Sequence, residues 1–241
     1  MREGDDKLIR NEILLSLPDA ERDAVLPHLE LVRLTAHHVL HEPGDNLRSA
    51  YFCNTGMISI LTVFPDGKSV EVGLVGREGF VGLRLIAGFP TAFTRAITQI
   101  SGSAYRIDGA TLLELLPSNP ELRRLLEGFS QVQTAAVCQV AACNRLHEVE
   151  ERLARWLLMC SDRVKSDSLA LTQELLGQML GTRRSSVTLA AGTLQRAGLI
   201  AANRGEVRIL KRAGLERAAC SCYAAVRREF EEWRHMRSHS K

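Results

Sequence analysis

Residues 171–200 hold a dense run of side chains suited to meeting a polyanion: Thr172, Gln173, Thr182, Arg183, Arg184, Ser185, Ser186 and Thr188. Hydroxyl and guanidinium groups donate hydrogen bonds to phosphate oxygens, and an arginine donates two at once to guanine O6 and N7. The spacing supplies a frame for them. Thr172 suits a helix cap, and residues 173–180 read as a short helix. Gly181 permits a sharp turn, and Thr182 is placed to cap a second helix over about residues 183–197, which Gly198 ends. Gly177 lets two helices cross closely. On the second helix Val187, Ala190, Ala191 and Leu194 fall at i, i+3, i+4 and i+7 and make an inner face. Arg184, Ser185 and Thr188 are then left outside, near the positive helix end that favours phosphate contacts by Thr182, Arg183 and Ser186. This is a helix-turn-helix whose second helix reads the major groove. Residues 199–210 read as two short strands around a turn, a wing with Arg204 at its tip.

The charge distribution agrees. The chain has 241 residues and a formal net charge of +3, yet residues 148–241 carry 17 Lys and Arg against 11 Asp and Glu. The remainder is acidic. A basic C-terminal part on an acidic N-terminal part suits a polyanionic partner for the former. Hydrophobic residues at 45% and charged residues at 24% exclude a chain disordered throughout. No apolar run approaches the roughly 18–20 residues needed to span a bilayer. The charged start leads to no signal-peptide core, so a cytoplasmic protein without membrane partners is expected.

Other chemistry is weaker. His37, His38 and His41 do not converge on an ion if their segment is a strand, because neighbours point to opposite faces. Cys220-Ser221-Cys222 offers two ligands, and two ligands do not make a site. No metal and no cofactor is therefore expected. The competing reading is a small-molecule-binding or metal-dependent cupin-like enzyme on a β-roll, with a basic docking domain. It lacks the His-x-His pair such an enzyme needs, and no nucleophile–base set is present, so no enzymatic activity is expected.

The elements that must carry the reading helix come earlier in the chain. A short helical lead over residues 14–31 precedes many β-prone runs separated by Gly and Pro turns. Eleven of the 18 glycines fall within residues 1–116, which points to an antiparallel sandwich or barrel. The clearest hairpin joins residues 57–64 and 69–75 through Pro65-Asp66-Gly67-Lys68, with Val70, Val72 and Leu74 expected on the buried face. From Pro120, capped by Asn119, the period becomes helical. Leu122, Leu125, Phe129, Val132, Ala136, Gln139, Cys143 and Leu146 repeat at spacings of three and four, a stripe expected to pair two parallel chains. A second helix over residues 149–163 turns Leu153, Trp156, Leu157 and Cys160 to one side.

The whole chain resembles the Crp/Fnr family of bacterial transcription regulators. The helix-turn-helix just quoted is the most specific part, and Glu42-Pro43-Gly44-Asp45 and Gly79-Phe80-Val81-Gly82 are similar to β-roll motifs of that family. The resemblance implies an α+β chain: a β-roll sensor over residues 1–116, a dimerisation helix over 117–147 and a winged helix-turn-helix over 148–241. It implies a dimeric, sequence-specific regulator on a palindromic operator, with double-stranded DNA, a second copy and RNA polymerase as partners. The three base-reading positions fall on Arg184, Ser185 and Leu189. Arg184 keeps the common arginine, whereas Ser185 and Leu189 replace a usual glutamate and arginine. The effector pocket falls on Phe80, Val81, Gly82, Leu83, Arg84, Ala92, Phe93, Val137 and Cys138. Leu83 stands where cyclic-nucleotide binders have a glutamate, and Ala92 and Phe93 stand at their Arg-Ser pair. Without that phosphate clamp cyclic AMP is not expected to bind, and the effector is left open. Arg84 and Arg95 lie close enough in sequence to restore a clamp under a shifted alignment. No cysteine precedes Cys53, which speaks against the N-terminal iron–sulfur cluster of one branch of the family.

Overall fold

A computed structural model describes residues 8–203 and 205–238 of the chain. The fold is α+β: an N-terminal antiparallel sheet, helices, and a C-terminal helix-turn-helix. Helices α1 (Glu12–Ser16) and α2 (Asp19–Val25) lead into strands β1 (Glu30–Leu34), β2 (Val39–His41), β3 (Ser49–Val63), β4 (Ser69–Val75) and β5 (Phe80–Val81). Helix α3 (Leu83–Ile86) precedes β6 (Arg95–Asp108) and α4 (Gly109–Leu115). The long helix α5 spans Pro120–Leu146 and is followed by α6 (Val149–Val164), β7 (Ser168–Leu169), α7 (Gln173–Met179) and α8 (Arg184–Arg196). Strands β8 (Ile200–Asn203) and β9 (Glu206–Ile209) and helices α9 (Arg212–Ala218) and α10 (Cys222–Ser238) complete the chain.

The chain divides into two compact units. One comprises residues 1–60, 74–134 and 230–241, and the other residues 61–73 and 135–229. In the first, the strand order β1-β6-β3-β4 has β2 beside β6 and β5 beside β3. Phe52 and Phe80 meet in its core with ring centroids 4.8 Å apart. Asn11 joins the lead to the sheet: its amide donates to the Cys53 and Gly79 carbonyls at 2.8 and 2.9 Å, while its oxygen caps α1. At Gly102 a Cβ would stand 2.1 Å from the Thr55 carbonyl oxygen, so only glycine permits β6 to approach there.

The turn expected at Pro65–Lys68 is present. Gly67 adopts φ +81°, and Phe64 and Lys68 close the turn through a 2.8 Å hydrogen bond. The burial of β4 differs from the expected alternation. Ser69 and Glu71 are buried, whereas Val70 and Val72 are only half-buried. Within the second unit the polar face is the covered one. Trp156 Nε1 donates to Glu71 at 2.6 Å, and Gln178 donates to Ser69 Oγ at 2.6 Å. A strand with partners on both faces does not show period-two burial.

Helix α5 begins at Pro120 as expected, but Asn119 is not its side-chain cap. The Asn119 amide turns back to the Leu115 carbonyl at 2.8 Å. The carboxylate of Glu21 instead accepts the Glu121 and Leu122 amides at 3.0 and 2.9 Å. A carboxylate at a helix N-terminus satisfies orphan N–H groups and complements the dipole.

The expected dimer stripe is also corrected. Leu122, Leu125, Phe129, Val132, Ala136 and Cys143 are all buried within the single chain, and Gln139 is half-buried. Phe129 meets Trp233 of α10 with centroids 5.5 Å apart. Leu146 is 75% exposed. The stripe faces inward because the chain supplies its own apolar cover, notably from the C-terminal helix, which the periodicity of α5 alone does not reveal.

If Glu21 anchors α5, Glu21→Ala should lower stability by about 1 kcal/mol, as loss of an N-terminal cap generally does. Urea denaturation of the two proteins measures this. An unchanged midpoint would refute the anchoring role.

Candidate nucleic-acid interface

The second unit builds the reading helix from its inner face outward. Val187, Ala190, Ala191 and Leu194 of α8 are buried, as their spacing requires. Thr172 Oγ1 caps α7 by accepting the Leu175 amide at 3.2 Å. Gly181 takes φ +58° at the turn, and a Cβ on Gly177 would sit 3.3 Å from the Thr182 carbonyl oxygen. Both glycines therefore do what the sequence suggested: one turns the chain and the other admits a close crossing.

The helix starts one residue later than expected. Arg183, not Thr182, is at the cap position of α8, and its side chain makes no capping bond. The Thr182 amide bonds the Gly177 carbonyl at 3.0 Å, which holds Thr182 in the turn between the helices. The first-turn amides of α8 consequently lack a side-chain cap at the end where anions are favoured.

Arg183, Arg184, Ser185, Thr188 and Leu189 are exposed, and Thr182 and Ser186 are half-buried. Leu189 is 73% exposed, a large apolar side chain left in water beside arginine and serine. Thr188 Oγ1 donates back to the Arg184 carbonyl at 3.0 Å. Arg204 lies outside the described residues, and only the backbone of Gln173 is described. The wing is present: β8 pairs antiparallel with β9, and β7 adds a third strand in the order β7-β9-β8.

Two arginines, Arg152 buried and Arg212 half-buried, orient this assembly. Arg152 of α6 donates to the Leu180 carbonyl at the end of α7. Arg212 joins Asp162 and bonds Tyr223 Oη at 2.9 Å, tying α6 to α9 and α10. A groove of about 640 Å³ lies between Lys68 and Ser69 of the hairpin and Gly181, Thr182, Arg183 and Arg184 of the helix-turn-helix.

The positions expected to form an effector pocket are divided between the two units. In the first, Phe80, Val81 and Ala92 are buried, Gly82 takes φ +137° and Leu83 opens α3. Phe93 is 71% exposed. Arg84 donates from Nε to the Thr91 carbonyl at 2.8 Å and lies 4.6 Å from the Phe89 ring centroid. Arg95 is paired with Glu42 at 2.8 Å. A cleft of about 380 Å³ in this unit is lined by His41, Asp45, Tyr51 and their neighbours, and by none of the expected positions. Val137 is half-buried and Cys138 exposed on the part of α5 that belongs to the second unit.

One cluster escaped the sequence reading. Cys220 and Cys222 are joined by Cys143 and His147, and the four ligand atoms lie within 4.8 Å of one another. The cysteine pair considered alone was a two-ligand fragment, and the fold corrects that. The signal available in the sequence was a Cys-x₃-His spacing at the end of α5, where His147 follows the last helical residue and its amide still bonds the Cys143 carbonyl at 3.2 Å. The Cys143 and Cys220 sulfurs lie 3.4 Å apart, and their hydrogen bond lowers the Cys143 thiol below its ordinary range, against burial and with help from the Arg155 guanidinium. Cys220 is displaced upward by the same bond.

Comparisons with known proteins match two stretches of the chain. Residues 31–119 match the family described as a cyclic nucleotide-binding domain, and residues 151–218 match the Crp-like helix-turn-helix domain. The chain is 26% identical over 194 residues to the global nitrogen regulator of Nostoc sp., covering 73% of this chain and 82% of that protein. It is 28% identical over 189 residues to the transcriptional regulator SdrP of Thermus thermophilus, covering 73% and 86%. Among solved structures it is similar in fold to FixK2 from Bradyrhizobium japonicum, with a TM-score of 0.69 at 16% identity over 80% of this chain and 98% of that one.

Proposed function

Since the chain belongs to the Crp/Fnr family and is a DNA-binding transcription regulator, we propose that it works as a homodimer reading a palindromic operator through the exposed face of α8. The observation that carries this reading is the two-sidedness of α8. Its apolar face is sealed, while Arg184, Ser185 and Leu189 stand exposed at its N-terminal half. The roles follow from chemistry. Arg184 donates to a guanine, Arg183 and the Thr182 and Ser186 hydroxyls meet phosphates, and Leu189 contacts a thymine methyl because it has no donor. The protein acts by binding and has no catalytic step. The sensor spans residues 1–116, the dimer helix 117–147 and the DNA-binding part 148–241, with RNA polymerase as a further partner.

The seam between copies belongs on the uncovered face of α5. In the stretch from Ala135, that face presents Cys138, Ala141, Ala142, Arg145 and Leu146, all exposed. Of these, Cys138, Ala141 and Ala142 are small and lie at spacings of three and four, which permits close approach of a second helix. The sensor does not use a cyclic nucleotide. Leu83, Ala92 and Phe93 provide no cation for a phosphate, and the nearby Arg84 and Arg95 are engaged by Thr91 and Glu42. Burying a phosphate without a cationic partner is strongly unfavourable.

Three measurements test this reading. Arg184→Ala should cost about 1–3 kcal/mol per half-site on operator DNA and relax preference at one base pair. Arg183→Ala should weaken all sequences alike and lower the salt slope by about 1 per subunit. Binding to a library of single-base operator variants distinguishes them, and an unchanged base preference for Arg184→Ala would displace the reading face. Mild oxidation should cross-link two chains through Cys138 and fail in Cys138→Ser, with sedimentation near 53 kDa, about twice one chain. Calorimetry with cyclic AMP and cyclic GMP should detect no micromolar binding.

A further inference from the structure

The geometry points to a structural zinc site formed by Cys143, His147, Cys220 and Cys222, clamping the end of α5 to the α9–α10 corner. Three sulfurs and one imidazole nitrogen constitute a recurrent tetrahedral set for zinc. With zinc–sulfur bonds of about 2.3 Å and zinc–nitrogen bonds of about 2.0–2.1 Å, tetrahedral angles put sulfurs about 3.8 Å apart and sulfur and nitrogen about 3.6 Å apart. Cys222 Sγ and His147 Nδ1 are 3.6 Å apart, and Cys143 Sγ and Cys220 Sγ are 3.4 Å apart. The widest separation in the set, within 4.8 Å, closes to a tetrahedral edge by a shift of about 1 Å. An iron–sulfur cluster interposes its own irons and sulfides between the ligands, so it would hold the thiolates farther apart than this.

The surroundings suit a closed site. Cys143, Cys220 and Cys222 are buried, and His147 is half-buried. Gln139 donates to Cys222 Sγ at 3.0 Å, the kind of outer contact that orients a metal ligand. Arg152 and Arg155 of α6 are buried at 7% and 3% exposure, and both Nε atoms lack hydrogen-bond partners. Among the described residues Arg155 donates from Nη1 to the Met159 thioether, a weak acceptor. Two buried guanidinium groups of like charge require a nearby anion. Zinc with three thiolates and a neutral imidazole carries a net charge of −1 and supplies one. On binding, each of the three thiols releases its proton to solvent, and nothing is oxidised or reduced.

The test uses the untagged full-length chain. Elemental analysis should find about one zinc per chain. After removal of zinc by a chelator under reducing conditions, cobalt(II) should bind at one equivalent per chain, with the visible bands of a tetrahedral ion and a thiolate-to-cobalt absorption. The stripped chain should also melt at a lower temperature. Cys143→Ser, Cys220→Ser and Cys222→Ser should each lose at least about tenfold in cobalt affinity, as should His147→Ala. His147→Cys should retain the metal in a four-sulfur site, and Cys138→Ser should bind normally. If the serine variants fail to fold, the cobalt spectrum of the wild-type chain decides by itself. A folded, fully reduced chain that takes up no cobalt overturns the proposal. So does a Cys143–Cys220 disulfide in the metal-free isolated protein, or iron and sulfide in place of zinc.

Discussion

A helix of 27 residues with an apolar stripe along much of its length needs that stripe buried before the elements at its ends can hold still. Helix propensity alone does not secure α5, which contains a glycine and several β-branched residues. Side chains such as Leu122, Leu125, Phe129 and Val132 contribute roughly 1.5–3 kcal/mol each on burial, and the chain itself covers them. Glu21 fixes the start of the helix, and Trp233 lies against Phe129. Other positions of the same helix stay exposed, with Cys138, Ala141 and Ala142 among them.

The reading helix is fixed by the same logic applied to polar groups. Arg152 reaches the carbonyl of Leu180, so α6 determines where α7 ends. Gly177 and Gly181 then set the crossing and the turn, and the buried inner face of α8 leaves Arg184, Ser185, Thr188 and Leu189 outward. Ser185 and Leu189 are exposed on that outward side, apart from the buried Val187, Ala190, Ala191 and Leu194 that hold the helix in place.

The helix-turn-helix was legible in the sequence because its determinants are local: two glycines, a cap and an i, i+3, i+4, i+7 repeat within 30 residues. The hairpin turn at Pro65–Lys68 was legible for the same reason. The direction of the α5 stripe was not, because periodicity identifies an apolar face but not its cover, and Trp233 lies about a hundred residues downstream. Capping by Glu21 and burial of Glu71 failed to show for the same reason, since both depend on partners remote in sequence. The cysteine–histidine cluster joins two fragments, each too short to count alone, that meet only when α10 folds back beside the end of α5.

The remote partners of the β3–β4 hairpin bear on how the chain acquires its structure. Glu71 precedes Trp156 by 85 residues, and Ser69 precedes Gln178 by 109. During synthesis the hairpin is therefore complete long before the helices that cover its polar face exist. Until then Glu71 and Ser69 are satisfied by water, and the half that reads DNA cannot close around them. A polypeptide beginning at α6 would never contain them, leaving the Trp156 indole and the Gln178 amide without their acceptors and Gly181 without Val70 behind it. Contacts this distant in sequence slow folding. The reading unit is thus assembled late, from a piece of the N-terminal sheet made early and a helical remainder that must arrive to meet it.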